Sequence, residues 1–269
     1  MFLGARNGTV KIGNTEMEYI SFGHGNENLI MLPGLGDGLR TVKGAAAVMA
    51  VMYRKYGRNY KVYMFSRKNK LEENYSIRDM AKDQREAMEK LGIAKAHILG
   101  VSQGGMIAQC FAADYPDAAD KLILAVTLSR QNETAEQVIS SWTEMAERND
   151  YRSLFIDTIE KSYTEKYKKK YRMLFPILAG IGRPKSFARF IIQANAILSY
   201  NAYEDIGRIT CRTLVIGAGK DEIVGAAASG EIADKIEGSK LIIYEGFGHG
   251  VYYEESKDFS RQVLDFLKS

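Results

Sequence analysis

The stretch of sequence that decides the fold reads Ala96-His97-Ile98-Leu99-Gly100-Val101-Ser102-Gln103-Gly104. Its first four residues form an apolar run that predicts a buried strand, and a helical pattern begins near Gln103. A serine at a turn from a strand into a helix can act as a nucleophile. Because Gly-x-Ser-x-Gly also occurs by chance, the rest of the chain has to supply the partners that such a serine needs.

Short apolar or β-rich runs recur along the chain, and most are separated by helical patterns. Eight runs predict strands, namely Thr9–Ile12, Met17–Ile20, Asn28–Leu32, Lys61–Phe65, Ala96–Leu99, Leu122–Val126, Thr213–Gly217 and Lys240–Tyr244. Strands that alternate with helices form a parallel sheet connected by right-handed crossovers. The sequence therefore predicts an α/β fold with a mostly parallel central sheet flanked by helices. One of those helices is expected after the N-cap Ser76, with Gly92 as its stop.

The alternation of strands and helices breaks over residues 131–203, which look helical throughout. We expect these residues to form a helical cap inserted into a core domain made of residues 1–130 and 204–269. The cap contains the densest basic run, Lys161 to Arg172, in which tyrosines recur at the spacing of one helical face. Such a helix could attract anionic substrates or a lipid surface. The favoured interpretation is an amphipathic helix whose tyrosines pack on the cap while its lysines stay solvated.

The composition bounds the classes of function. The chain has 269 residues and a net charge of +4, which argues against a nucleic-acid binder, since such proteins usually carry a dense basic face. Neither Cys110 nor Cys211 has the spacing of a zinc site, and we expect both to be reduced thiols in a cytoplasmic protein. No apolar run approaches the length of a membrane span, and no secretory signal is visible. We therefore expect no metal, no cofactor and no integral membrane segment.

A catalytic serine needs a base within hydrogen-bond reach and an acid that orients the base. Of the three histidines, His249 follows the last predicted strand in the loop Gly246-Phe247-Gly248-His249-Gly250. Loops at the carboxyl ends of parallel strands face the crevice where α/β sheets bind ligands. His97 lies inside a predicted strand, where we expect it to be buried, and His24 lies in a turn, where we expect it to be solvated. His249 is the preferred candidate base.

The orienting acid is expected at the end of another strand. Asp221 comes shortly after the strand Thr213–Gly217, and the adjacent Glu222 is the alternative. An isolated aspartate in a turn is often a solvated residue or a helix N-cap. Here, however, serine, acid and histidine each follow a strand, in the order Ser102, Asp221, His249. This arrangement favours Asp221.

Attack on a carbonyl creates a negative oxygen, which backbone N–H groups can stabilise. One candidate donor is the N–H of Gln103, at a helix N-terminus where the helix dipole favours negative charge. The second is the N–H of Leu35, in the glycine-rich loop Pro33-Gly34-Leu35-Gly36-Asp37-Gly38. Taken alone, this loop fits a simple flexible turn equally well.

Together these residues resemble the α/β-hydrolase family, whose nucleophile turn and order of serine, acid and histidine they match. The resemblance covers Lys11 to Leu267 and is greatest to small serine esterases with a helical cap. It implies the α/β-hydrolase fold without a cofactor. It also implies five site residues, namely the nucleophile Ser102, the acid Asp221, the base His249 and the oxyanion-hole donors Leu35 and Gln103.

The chain departs from the family pattern after the fourth strand. Relatives often have an acidic, glycine-rich loop there, whereas this chain has Ser66-Arg67-Lys68-Asn69-Lys70. The residue before the serine is often histidine in relatives and is Val101 here. Neither departure removes a catalytic group.

The serine narrows the chemistry that the resemblance implies. Dehalogenases and epoxide hydrolases of the family carry aspartate at the position of Ser102, so we expect hydrolysis of a small or medium carboxylic ester through an acyl-enzyme. Cofactor-free perhydrolysis and C–C bond hydrolysis use the same triad and are alternatives. A non-catalytic small-molecule receptor on this fold is an alternative of a different class. The expected partner is a small-molecule ester or related acyl substrate, and no nucleic acid.

Overall fold

Eight strands form one sheet in the order β1-β2-β4-β3-β5-β6-β7-β8. The computed structural model describes residues 2–175 and 182–269. Strand β2 runs antiparallel to both of its neighbours, and the other pairs are parallel. The strands are β1 (Arg6–Ile12), β2 (Thr15–Phe22), β3 (Asn28–Leu32), β4 (Lys61–Lys68), β5 (Ala96–Val101), β6 (Ala119–Ala125), β7 (Arg212–Ala218) and β8 (Lys240–Tyr244). The predicted α/β fold with a mostly parallel sheet is confirmed.

The central strands are apolar on both faces because helices cover the sheet on both sides. In β6, Leu122 and Leu124 pack into the core on one face, whereas Ile123 and Ala125 pack into the core on the other. Side chains along a strand point alternately to opposite faces, so a continuous apolar run feeds both cores. The edge strand β8 is more exposed than the central strands.

Helices connect the strands and cover the sheet. They are α1 (Ala46–Met52), α2 (Arg54–Gly57), α3 (Ile77–Lys90), α4 (Gln103–Asp114), α5 (Glu133–Glu147), α6 (Tyr151–Ser162), α7 (Glu165–Tyr171), α8 (Ala188–Leu198), α9 (Ala228–Lys235), α10 (Val251–Glu254) and α11 (Ser256–Lys268). The predicted limits of α3 are confirmed, because Ser76 and Asp79 form a capping box and Gly92 follows with φ of +69°.

Helices α5 to α8 lie between β6 and β7, within the part of the chain expected to form a cap. The prediction of one helix over the basic run is wrong. Helix α6 ends at Ser162, and Thr164 caps the separate helix α7 by accepting a hydrogen bond from the Tyr167 N–H. The tyrosines still pack together, since the ring centroids of Tyr163 and Tyr167 and those of Tyr167 and Tyr171 are each 4.6 Å apart.

Candidate active site

Ser102 lies at the sharp turn between β5 and α4. Its backbone has φ of 54° and ψ of −122°, in the left-handed region that residues other than glycine rarely adopt. The turn is fixed on both sides: the Ser102 N–H donates to the Ala125 carbonyl at 2.9 Å, and the Ser102 carbonyl accepts from the Gly105 N–H at 2.8 Å. Strained residues of this kind persist where the surrounding structure holds them, and they cluster at functional sites.

The two glycines of the motif are required by close backbone contacts. A Cβ on Gly100 would lie 2.4 Å from the Gly104 carbonyl oxygen, and a Cβ on Gly104 would lie 2.0 Å from the Leu32 carbonyl oxygen. Both distances are far inside van der Waals contact, so a side chain at either position would displace backbone. The two glycines of the motif therefore allow the tight turn that packs α4 against β3.

His249 and Asp221 form a buried pair. His249 Nδ1 lies 2.8 Å from Asp221 Oδ2, and Asp221 Oδ1 accepts hydrogen bonds from the N–H groups of Ile223 and Val224 at 2.9 and 3.0 Å. Burial alone would raise the pKa of Asp221, but His249 and the two N–H groups outweigh it and hold that pKa below its ordinary value. Glu222, the alternative acid, is exposed to solvent. The structure therefore brings together the predicted acid and base.

The other two histidines occupy the environments predicted for them. His97 is 2% exposed at the start of β5, where its Nδ1 lies 3.2 Å from Asp120 Oδ2. Burial lowers the pKa of His97, and the nearby carboxylates of Asp120 and Glu27 act in the opposite direction. His24 is exposed. His97 is the second residue of β5 and Ser102 follows its last residue, so the two lie at opposite ends of the strand.

Ser102 and His249 line the same cavity of about 690 Å³. Most of its wall is apolar, and helices α5, α6 and α8 contribute Ile139, Trp142, Phe155, Ile159 and Ile197. The aromatic rings of Trp142 and Phe155 line the cavity, whereas the buried Phe187 and Phe190 are not among its lining residues. The tyrosines that line the cavity were not predicted, and they are Tyr53, Tyr163, Tyr252 and Tyr253.

The loop that carries Leu35 lies directly beside Ser102. A Cβ on Gly34 would be 3.2 Å from Ser102 Cβ and 3.7 Å from Ser102 Oγ. The loop continues as a 3₁₀ turn over Leu35–Gly38, in which the Asp37 N–H bonds the Gly34 carbonyl. Among the described residues, neither the Leu35 N–H nor the Gln103 N–H has a hydrogen-bond acceptor. The residues that follow Gly34 and Ser102 therefore each carry a backbone N–H group that is available to a ligand.

The basic segment after the fourth strand differs from the expected loop. Strand β4 extends to Lys68, and both Ser66 and Arg67 are buried. The Arg67 side chain donates through Nη2 to the Pro33 carbonyl at 2.6 Å and to Gln103 Oε1 at 2.9 Å. The basic composition of this segment gave no sign that part of it would be buried. Only its long-range partners could have placed Arg67 inside the protein.

Side chains that could bind a metal ion do not cluster in the described part of the chain. Within residues 2–175 and 182–269, no group of three His, Cys, Asp or Glu side chains is placed to hold one. Cys110 and Cys211 are both free, and Cys110 is buried. No helix in the described ranges has the length and hydropathy to cross a membrane.

A family model described as alpha/beta hydrolase fold matches residues 59–256. The chain belongs to the alpha/beta hydrolase family. Membership is consistent with the order of strands and with the turn at Ser102.

Several proteins resemble the chain along most of its length. A Caulobacter sp. (strain K31) protein that carries the name carbamate hydrolase RutD is 26% identical over 205 residues, which are 73% of this chain and 74% of that protein. The Mus musculus monoacylglycerol lipase ABHD6 is 24% identical over 191 residues, 67% of this chain and 57% of the lipase. The crystal structure of the enol-lactonase from Burkholderia xenovorans LB400 has a TM-score of 0.83 at 20% identity and covers 97% of this chain and 100% of that chain. At that identity the structural likeness shows the fold alone.

Proposed function

We propose that the protein is a serine hydrolase that cleaves a small or medium carboxylic ester through an acyl-enzyme. The observation that carries the proposal is the buried His249–Asp221 pair, which sits at the cavity that Ser102 lines. A nucleophile, a base and an oriented acid are the three groups that serine hydrolysis requires. The relatives named as a lipase and as a carbamate hydrolase support the same reaction class.

In the proposed mechanism, Ser102 Oγ attacks the ester carbonyl as its proton moves to His249. The imidazolium that results is stabilised by the Asp221 carboxylate, which bonds Nδ1 and thereby directs Nε2 to the reaction. The negative carbonyl oxygen accepts hydrogen bonds from the N–H groups of Leu35 and Gln103. Collapse of the intermediate expels the alcohol, which takes the proton from His249. Water then attacks the acyl-enzyme by the same steps and releases the acid.

The size and the apolar wall of the cavity favour an uncharged acyl substrate. Its volume of about 690 Å³ falls within the range of small-molecule sites, and its wall is mostly apolar. The charged side chains that reach it include the exposed Arg40 and Lys43, and Lys43 is paired with Glu18 at 3.1 Å. An apolar wall binds a hydrocarbon acyl group through burial of surface and offers a free carboxylate no buried partner.

We also propose that residues 131–203 act as a cap and the remainder as the catalytic core. This proposal is supported by residues of α5, α6 and α8 that line the same cavity as Ser102 and His249. The two free cysteines fit a reducing compartment, and we propose that the protein works in the cytoplasm.

The test uses a fluorophosphonate probe and a series of p-nitrophenyl esters. Stoichiometric labelling at Ser102, together with ester hydrolysis that Ser102→Ala abolishes in a folded protein, is the expected result. A folded protein that is neither labelled nor active would contradict the proposal and favour a small-molecule receptor. Peracid formation from hydrogen peroxide and a carboxylic acid, faster than ester hydrolysis, would instead favour a perhydrolase.

A further inference from the structure

We propose that helix α8 holds both halves of the candidate oxyanion hole in place through a buried polar network, which makes Arg67 and Arg189 positioning residues for the reaction. We call this network the α8 clamp; its members are Asp37, Arg67, Gln103, Arg189 and Gln193. The inference rests on the proposed function, because the hole matters only if an oxyanion forms there.

The first part of the clamp joins the two loops that carry the candidate donors. Arg67 Nη2 donates both to the carbonyl of Pro33, at the start of the Leu35 loop, and to the side chain of Gln103. The Gln103 side chain is buried and is not among the residues that line the cavity, while its N–H lies at the start of α4. One guanidinium group thus sets the separation of the two donors.

The second part of the clamp ties the loops to α8. Gln103 Nε2 donates to the Gln193 carbonyl at 2.8 Å, so the residue after the nucleophile is bonded to the middle of α8. On the other loop, Asp37 Oδ2 accepts from Arg189 Nη2 at 3.0 Å and from Gln193 Nε2 at 3.4 Å. The fit is close, since a Cβ on Gly38 would lie 2.7 Å from Phe190 Cα.

The clamp holds two arginines and one aspartate, so its charges are compensated only in part. The Asp37 side chain is 1% exposed and accepts from the Arg67 backbone N–H at 3.1 Å in addition to its bond with Arg189. Burial lowers the pKa of the Arg67 guanidinium, and Asp37 opposes that effect. Four of the five members are buried, all except Arg189, so water has little access to replace a lost partner and we expect the loss of one member to displace the others.

Helix α8 also reaches the substrate cavity through Ile197. The same helix therefore contacts the space that the acyl group fills and the loops that hold the oxyanion donors. A shift of α8 would misplace donors that must lie about 2.7–3.1 Å from the oxyanion. The clamp is thus expected to act on the transition state more than on substrate binding.

The test compares Arg189→Met, Arg189→Lys and Gln103→Met with the wild type. Arg189 is partly exposed, with 22% of its side chain accessible, so its replacement is less disruptive than replacement of Arg67. Gln103→Met removes the side-chain amide and keeps the backbone N–H. The control Arg78→Met also removes an arginine paired with carboxylates, those of Asp114 and Asp205, but lies outside the clamp.

We expect Arg189→Met and Gln103→Met to lower kcat about tenfold with KM unchanged, less than the ~10²–10³ lost when an oxyanion donor is removed. A trifluoromethyl ketone, which becomes an oxyanion when Ser102 adds to it, should bind more weakly by the same factor. Arg189→Lys should restore most of kcat, and Arg78→Met should leave kcat and inhibitor binding unchanged. An active wild type whose kcat and inhibitor affinity survive in both folded variants would overturn the clamp. An inactive and unlabelled wild type would show instead that the proposed function is wrong.

Discussion

The Nδ1 atom of His249 lies 2.8 Å from Oδ2 of Asp221, although the two residues are 28 positions apart in the chain. The contact forms because β7 and β8 are parallel neighbours, so the loops that follow them emerge at the same edge of the sheet. Both residues are more than nine-tenths buried. The carboxylate therefore acts on the imidazole with little competition from water.

The first prediction concerns the charge of Asp221. Asp221→Asn retains the shape of the side chain but removes the charge that stabilises an imidazolium, and it favours the wrong tautomer of His249. We expect kcat to fall on the order of 10³- to 10⁴-fold with little change in KM. Glu222→Gln is the matched control, because Glu222 is exposed and adjacent. Equal losses in the two variants, measured with the same ester, would contradict the assignment.

The second prediction concerns acid stability. The pKa of Asp221 is lowered in the folded protein, so the folded state binds fewer protons at this group than the unfolded state, whose pKa is about 3.9. Its contribution to the free energy of unfolding is complete above that pH and is lost as the pH falls toward the lowered pKa. Urea unfolding from pH 6 downward should show the wild type approaching Asp221→Asn in stability as acid is added. A constant difference between the two proteins would count against the pairing.

The third prediction concerns the tight turn at the nucleophile. Gly104→Ala places a Cβ 2.0 Å from the Leu32 carbonyl oxygen, so the variant should lose several kcal/mol of stability, about 3 or more, because the backbone has to move. The control is Gly230→Ala, within α9, where a Cβ would meet no atom within 4 Å. That variant should gain about 0.5–1 kcal/mol from the higher helix propensity of alanine. Denaturant unfolding measures both, and a mild effect of Gly104→Ala would refute the steric argument.

The fourth prediction concerns the acyl cavity. Ile139 is 3% exposed and lines the cavity, so Ile139→Ala should enlarge it and shift kcat/KM toward esters with longer acyl chains. The same change costs about 2–5 kcal/mol of stability. Ile123→Ala provides the control, because Ile123 is fully buried on the other face of the sheet. It should destabilise the protein by a similar amount without altering chain-length preference. A shift of equal size in both variants would exclude a specific role for Ile139.

Sequence reasoning recovered the eight strands because each is a local apolar or β-rich run, and it recovered α3 because Ser76 and Gly92 are local signals at its ends. It failed at the basic run, where the spacing of Tyr163, Tyr167 and Tyr171 suggested one helix. The hydroxyl of Thr164 competes there for the backbone and starts a new helix. Periodicity alone cannot detect such a break, since the rings of the three tyrosines stay close to one another across it.

The sequence by itself determined the turn at Ser102 and the order of serine, acid and histidine along the chain, because turn residues and strand ends are properties of neighbouring positions. Only the tertiary structure decided which carboxylate contacts His249, and that Arg67 lies in the interior. Arg189 and Asp37 are 152 positions apart, and no local pattern marks them as partners. Their pairing follows from the packing of α8 against the loop after β3. That packing brings together residues that are far apart in the sequence.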